Sequence, residues 1–340
     1  MFTRKHLLYL AYLLVFAAAS YIALKLTTVG WNFLAPSLPA GHAAATSPEK
    51  LKRTVTDLAS RIGPRDVFRN NLDSLRRAEV YIAGRLSAAG YKVEFQEFPA
   101  SGTVARNIVA TKPGLSPGGE IVLAGAHYDT YDNPGADDNA SGVACLLELA
   151  EYAAARSFGR TVVFAAFANE EPPFFKTPGM GSAVYAREAR RRGDNIRAAV
   201  ILEMTGYFTE RRISQRYPPL IGPFMPGRGN FMAQIANFKS RDLAGEIDAA
   251  FRAASPLPLR TLALPSAVPG VDFSDHRSFW DAGYRAVMFT DTAFYRNRNY
   301  HQDSDLPDTL NYAYMAAFMD GLKAALGKLA GEAGQRAAKK

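Results

Sequence analysis

The sequence predicts an α/β protein with a largely parallel sheet covered by helices on both faces. Short apolar runs alternate with amphipathic helical stretches along most of the chain. Several runs, IVLAGA, VVFAAF and AAVIL, are apolar without interruption. That pattern suits strands buried on both sides rather than strands with one wet face. The chain has 340 residues, 48% of them hydrophobic and 21% charged. This is enough for one large domain or two small ones, and it excludes a disordered or low-complexity protein. No fixed-period repeat, heptad or collagen pattern is present.

The elements follow in order. Residues 47–60 read as a helix with Ser47 as N-cap and Leu51, Val55, Leu58 and Ala59 on one face. Residues 71–89 form a second amphipathic helix, stopped by Gly90. KVEFQEF, residues 92–98, alternates as a half-buried strand. Strands follow at 105–110 and 120–126, an apolar helix at 140–155 and a strand at 161–167. A helix is expected at 181–192 and a strand at 198–203. Residues 209–240, rich in Arg, Pro, Gly and Phe, read as a long loop or flap, a length that usually signals function or disorder. Helix 243–254, strands 260–264 and 285–290, and a closing helix at 310–330 complete the pattern.

The N-terminus has its own texture. Residues 7–24, LLYLAYLLVFAAASYIAL, run for 18 residues without a charge, between Arg4–Lys5 and Lys25. That is near the lower limit for crossing a bilayer, and the positive flank keeps the first residues cytoplasmic. Residues 1–29 are therefore expected to be an uncleaved signal-anchor, with the remainder outside the cytoplasm, periplasmic or extracellular. The alternative is cleavage near Ala19 and secretion. Residues 30–46 read as a linker, 47–332 as the folded domain and 333–340 as a polar tail. A single cysteine, Cys145, excludes an intrachain disulfide framework and a Cys-rich zinc site. It lies in ACLLELA and reads as inert core. The net charge of +8 is spread without a basic block carrying interleaved aromatics, which argues for a solvated basic surface and against a nucleic-acid partner.

The chemistry lies at strand ends. The chain has five histidines: His6, His42, His127, His276 and His301. His127 follows IVLAGA directly, at the sheet edge where open α/β folds bind ligands. Asp129, two residues on, can receive the second ring N–H of His127. PGADDNASG then places Asp137 and Asp138 before an apolar helix, where helix capping is the plain alternative. FAAFANEE ends a strand with Glu170 and Glu171, which repel each other unless a cation or a shared proton relieves them. ILEM ends a third strand with Glu203, and YHQDSD holds Tyr300 and His301. Oxygen and nitrogen donors without thiolate suit zinc, manganese or cobalt, and a bridging carboxylate lets two ions share a site.

HYD, GADDNASG, NEE, a carboxylate after an apolar strand, SDH and YHQDSD occur in the order and rough spacing of the M28 family of zinc exopeptidases. The chain resembles the aminopeptidase-type branch over residues 47–330. The resemblance implies a three-layer α/β/α sandwich around a mixed, mostly parallel sheet. It also implies two Zn2+ ions per chain and a peptide substrate. Carried over by position, His127 and Glu203 would serve one metal, Glu171 and His301 the other, and Asp137 would bridge them. Glu170 would be general base and then acid for a metal-bridged water, with Asp129 behind His127. Many members have aspartate where this chain has Glu203, so that metal's geometry is open. Asp275 and His276 of FSDHRSF are either pocket residues or structural ones. Tyr300 either donates to the oxyanion or packs beside it. The competing functions are a glutaminyl-cyclase-like single-zinc acyltransferase, which His127 counts against, and a non-catalytic binding member of the fold.

Overall fold

The structure is a computed structural model describing residues 6, 9–16, 28–29, 37–218 and 225–332. Among the described residues, a nine-stranded mixed sheet forms the middle layer. Its strands are β1 (Thr28–Val29), β2 (Val93–Ala100), β3 (Thr103–Lys112), β4 (Glu120–His127), β5 (Thr161–Phe167), β6 (Asn195–Glu203), β7 (Met232–Ala236), β8 (Leu259–Ala263) and β9 (Ala286–Thr290). They lie in the order β1-β8-β7-β9-β6-β4-β5-β3-β2. The helices are α1 (Pro48–Thr56), α2 (Leu72–Ala88), α3 (Gly142–Ala154), α4 (Gly181–Arg192), α5 (Arg241–Ala254), α6 (His276–Asp281) and α7 (Tyr312–Ala330).

The uninterrupted apolar strands do what their composition requires. Along β4, Val122, Ala124 and Ala126 enter one core with Leu51, Leu75, Leu146, Ile247 and Phe318. Leu123 points the other way, into a second core with Tyr185 and Phe279. Side chains alternate across a strand, so α1, α2, α3, α5 and α7 cover one face while α4 and α6 cover the other. This is the expected three-layer sandwich.

Two expectations need correction. The sheet is mixed but not mostly parallel. β5, β4, β6 and β9 run parallel at the centre, and β7 runs parallel to β8. The β1–β8, β2–β3, β3–β5 and β7–β9 pairs are antiparallel. Continuous apolar runs report burial on both faces, not strand direction, and the antiparallel neighbour β7 is as buried as β9. Residues 209–240 are also not one loop, because β7 lies within them. Its sequence, MAQIA, is broken by Gln234. That side chain is fully buried but paired, donating to the Ala244 carbonyl and accepting from Thr261 Oγ. A satisfied polar residue in a short strand erases the apolar signal without costing the strand.

Among the described residues no helix is long and apolar enough to cross a membrane. Residues 9–16 are helical, while most of the expected anchor, residues 1–29, lies outside the described residues, as does the expected tail at 333–340.

Candidate metal centre

The four central parallel strands end at one edge of the sheet, and each delivers an acid or histidine there. β4 ends in His127, the turn after β5 carries Glu170 and Glu171, β6 ends in Glu203, and Asp291 follows β9. His301 arrives from the loop between β9 and α7.

The loop after β4 is anchored by a residue that sequence reasoning passed over. Arg65 is fully buried and donates to the carbonyls of Tyr128 at 2.9 Å, Pro134 at 3.0 Å and Gly135 at 3.3 Å. It also reaches the carbonyls of Leu58 at 2.9 Å and Gly63 at 2.8 Å. One guanidinium thus ties the first helical segment to the loop that leads into the acidic pair. Beyond it, Gly135 has φ +58°, and a Cβ there would lie 2.3 Å from the Asp138 carbonyl. Both facts require glycine.

The acids separate at this point. His127 Nε2 lies 3.3 Å from Asp138 Oδ1 and 3.3 Å from Glu203 Oε2. His301 Nε2 lies 3.3 Å from Asp138 Oδ2 and 3.2 Å from Glu171 Oε2. Asp138 is therefore the shared carboxylate, and the expectation that Asp137 would bridge is corrected. The backbone turns between the two residues. Asp137 Oδ1 accepts from the Gly206 N–H at 2.9 Å and Oδ2 from Asn297 Nδ2 at 2.7 Å, so its side chain is committed elsewhere. Burial and the nearby Asp291 carboxyl push Asp137 well above the usual carboxylate range. The N–H groups of Asp137 and Asp138 both rest on the Asp305 carboxylate, at 3.0–3.1 Å. Asp305, Asp291, Asn297 and Arg65 were not singled out from sequence. Only the DSD of YHQDSD hinted at Asp305.

Asp129 has a wider task than expected. His127 Nδ1 lies 3.2 Å from the Asp129 carbonyl and 3.5 Å from its Oδ1. The same carboxylate accepts the N–H of Glu170 and of Glu171, each at 3.1 Å. It therefore orients the histidine and positions both glutamates. Glu203 reaches the cluster despite its extra methylene, with Oε2 also accepting from Ser274 Oγ at 2.7 Å. Tyr300 stacks on His301 with ring centroids 3.8 Å apart, and Tyr131 stacks on that imidazole too, at 4.5 Å. Asp275 is fully buried, and neither carboxylate oxygen has a hydrogen-bond partner. Burial, opposed by His127, pushes it up to about 7. His276 is structural. It is fully buried, pairs through Nε2 with the Val271 carbonyl at 2.7 Å and meets Trp280 edge-on. Burial pulls it down to about 4.

Three observations test whether this cluster suits metal ions. The donors form two groups sharing Asp138, namely His127, Asp138 and Glu203, and Asp138, Glu171 and His301. Both histidine Nε2 atoms and Glu171 Oε1 are buried without a hydrogen-bond partner. The donor separations of 3.2–3.3 Å match the edge of a zinc tetrahedron, roughly 3.3–3.4 Å for bonds near 2.0–2.1 Å. The residues fit a pair of divalent ions. Glu170 belongs to neither group. It is buried in the same cleft as Glu171, Glu203, Tyr300 and His301. Burial, partly offset by His127, pushes it well above the usual glutamate range.

Comparison with known proteins agrees with this geometry. The chain is 39% identical over 302 residues to the uncharacterized protein YfbL of Escherichia coli (strain K12), covering 86% of this chain and 90% of that one. It is 28% identical over 279 residues to a probable zinc metalloprotease of Pyricularia oryzae, covering 71% of this chain and about half (51%) of that longer protein. Among solved structures, BSAP, a zinc aminopeptidase from Bacillus subtilis, superposes with TM-score 0.67 at 14% identity, covering 85% of this chain and 96% of that one. A Bacteroides thetaiotaomicron glutaminyl cyclase superposes with TM-score 0.60 at 18% identity, over 83% and 98%. These structural likenesses speak for the fold. The family model described as Peptidase family M28 matches residues 107–326, and the chain belongs to that family.

Proposed function

We propose that the protein is a zinc-dependent aminopeptidase that removes N-terminal residues from peptides, and that His127, Asp138, Glu171, Glu203 and His301 would hold two Zn2+ ions. The observation that carries this is Asp138 facing both His127 and His301, with a separate carboxylate, Glu203 or Glu171, beside each. Bound ions would supply Lewis acidity to the scissile carbonyl and acidify water. The chain's own residues do the rest. Glu170, free of either donor group, takes a proton from the attacking water and passes it to the leaving amine. Burial raises its affinity for a proton, as a group that takes and returns one requires. Asp129 fixes the His127 ring and the backbone of Glu170 and Glu171, so base and ligands keep one geometry. Tyr300, which lines the same cleft, would donate its hydroxyl to the tetrahedral oxyanion.

The two complete donor groups favour a peptidase over a single-zinc acyltransferase such as a glutaminyl cyclase. We also propose that residues 7–24 tether the domain to a membrane outside the cytoplasm, on the strength of their uncharged run and the preceding Arg4 and Lys5. The test of activity is metal analysis of the full-length protein with a panel of aminoacyl and carboxypeptidase substrates, before and after chelation. Zinc-restored release of N-terminal residues supports the reading, and full activity in excess chelator after dialysis overturns it.

A further inference from the structure

Next to the metal centre a second, apolar pocket opens, and one row of the sheet forms its floor. Glu203 pairs with Thr290, Thr290 with Ala233, and Ala233 with Arg260, across β6, β9, β7 and β8. Residues directly paired across a sheet share a face, and all four line this pocket. Three strand spacings place the Arg260 backbone about 14 Å from that of Glu203. The short Thr290 and Ala233 side chains leave a trench between them. Its walls are apolar, including Phe231, Leu262, Val271 and Met288. Glu203, Phe273, Phe294 and Tyr300 border both this pocket and the cleft holding Glu170. Whatever occupies the trench therefore lies beside the cleft that holds Glu170.

Arg260 does not belong in an apolar trench for packing reasons. It is 8% exposed, and its Nε has no hydrogen-bond partner. Its guanidinium makes one long contact, Nη1 to the Leu259 carbonyl at 3.4 Å. Among the described residues no carboxylate lies within ion-pair distance of it, whereas its neighbour Arg252 takes Asp248 at 2.8 Å. Phe231 offers little relief. Its ring is 5.9 Å from the Arg260 guanidinium, near the limit of such contacts, and Arg296 already lies over it at 4.5 Å. Burial, together with Arg252 and against the longer-range pull of Tyr217 and Asp248, lowers Arg260 to about 10, so it stays charged at neutral pH. A buried cation without an anion is costly, and methionine or leucine would fill the space without that cost.

We infer that Arg260 is a specificity-determining residue that receives an anionic tip at the end of an apolar stem, so that the pocket selects a substrate whose N-terminal side chain is acidic, glutamate among the protein residues. This rests on the aminopeptidase reading of the adjoining site. The apolar walls fit the methylenes and the guanidinium fits the carboxylate. A buried charge pair discriminates strongly against an uncharged isostere, because the partner charge is then left unpaired.

The test compares glutamyl with glutaminyl substrates, which share a shape and differ in charge, on the zinc-loaded full-length protein. The ratio of their kcat/KM values is expected to exceed ~10 in the wild type. In Arg260→Met it should fall to about one or below, and Arg260→Lys should keep part of it, since ammonium supplies the charge without the planar fork. Thermal melting of each variant checks folding, and Arg260→Lys carries the comparison if Arg260→Met does not fold. A wild-type ratio near one, or a ratio unmoved by both substitutions, overturns the proposal. Calorimetric binding of free glutamate against glutamine separates this from the activity reading. If no substrate is hydrolysed but glutamate binding is preferred and lost in Arg260→Met, the aminopeptidase reading fails and the pocket assignment stands. Equal binding of both amino acids overturns the pocket assignment.

Discussion

Asp137 and Asp138 are adjacent acids of identical chemistry, and only the backbone decides which one faces both histidines. Asp138 has φ −105° and ψ 85° and Asn139 φ −135° and ψ 40°, a break in the turn that leads into α3. That swing aims its carboxylate at His127 and His301 and leaves Asp137 to Gly206 and Asn297. The consequence is measurable by metal analysis. Asp138→Ala should lose both ions, while Asp137→Ala should retain them and melt at a lower temperature. Asp305→Ala, which frees the N–H groups of both residues, should weaken metal binding about 10–100-fold, the usual effect of removing a partner behind a ligand. Glu170→Gln should keep both ions and lose at least ~10²-fold in turnover. If it instead lost the metals, Glu170 would be a ligand and the assignment of base and ligand would be reversed.

At the scale of elements, the site depends on how closely α3 approaches the end of β6. Gly142 opens α3, and a Cβ there would lie 2.3 Å from Asn139 Oδ1 and 2.6 Å from the Leu202 carbonyl. Asn139 cannot step aside, because it donates to Leu202 and accepts from Met204 and Gly142. Gly142→Ala should therefore cost about 1–3 kcal/mol in denaturant unfolding, the range for forcing a methyl into a packed site. It should also lower metal affinity, since the same Asn139 adjoins Asp138. The final glycine of GADDNASG is thus a packing requirement that reads in sequence only as a helix start. Strand ends were legible, because an apolar run stopping at a histidine or glutamate is a local pattern. His127, Glu171 and Glu203 lie where that pattern puts them, whereas His301 comes from the polar loop between β9 and α7 and was reached through the YHQDSD motif. The choice between Asp137 and Asp138 was not legible, because it turns on the local backbone dihedral angles. Arg65 and Asn297 were not, because their partners lie 63 and 160 residues away. β7 was not, because Gln234 broke the apolar run.

At the scale of the whole molecule, the catalytic layers and the N-terminal segment obey different solvation rules. In the sandwich, large apolar side chains are enclosed, as Phe164, Phe251 and Phe318 are. In residues 9–16 they are not. Tyr9, Leu10, Tyr12, Leu13, Leu14, Val15 and Phe16 are all exposed, Phe16 to 72%. A helix that is apolar all round is stable in lipid or inside a large core, and the described residues provide no core for it. The uncharged run continues to residue 24, and Arg4 and Lys5 precede it. The full chain should therefore partition with membranes, its N-terminus intact and its catalytic layers accessible to protease from outside the cytoplasm. N-terminal sequencing of the membrane fraction and protease protection of intact cells decide it. A soluble mature chain beginning near Ser20 would mean cleavage and secretion, and would leave the metal centre as described. Protection of the catalytic layers on the cytoplasmic side would overturn export in either form. It would also remove the reason for an anchor that ends before the first helix of the sandwich.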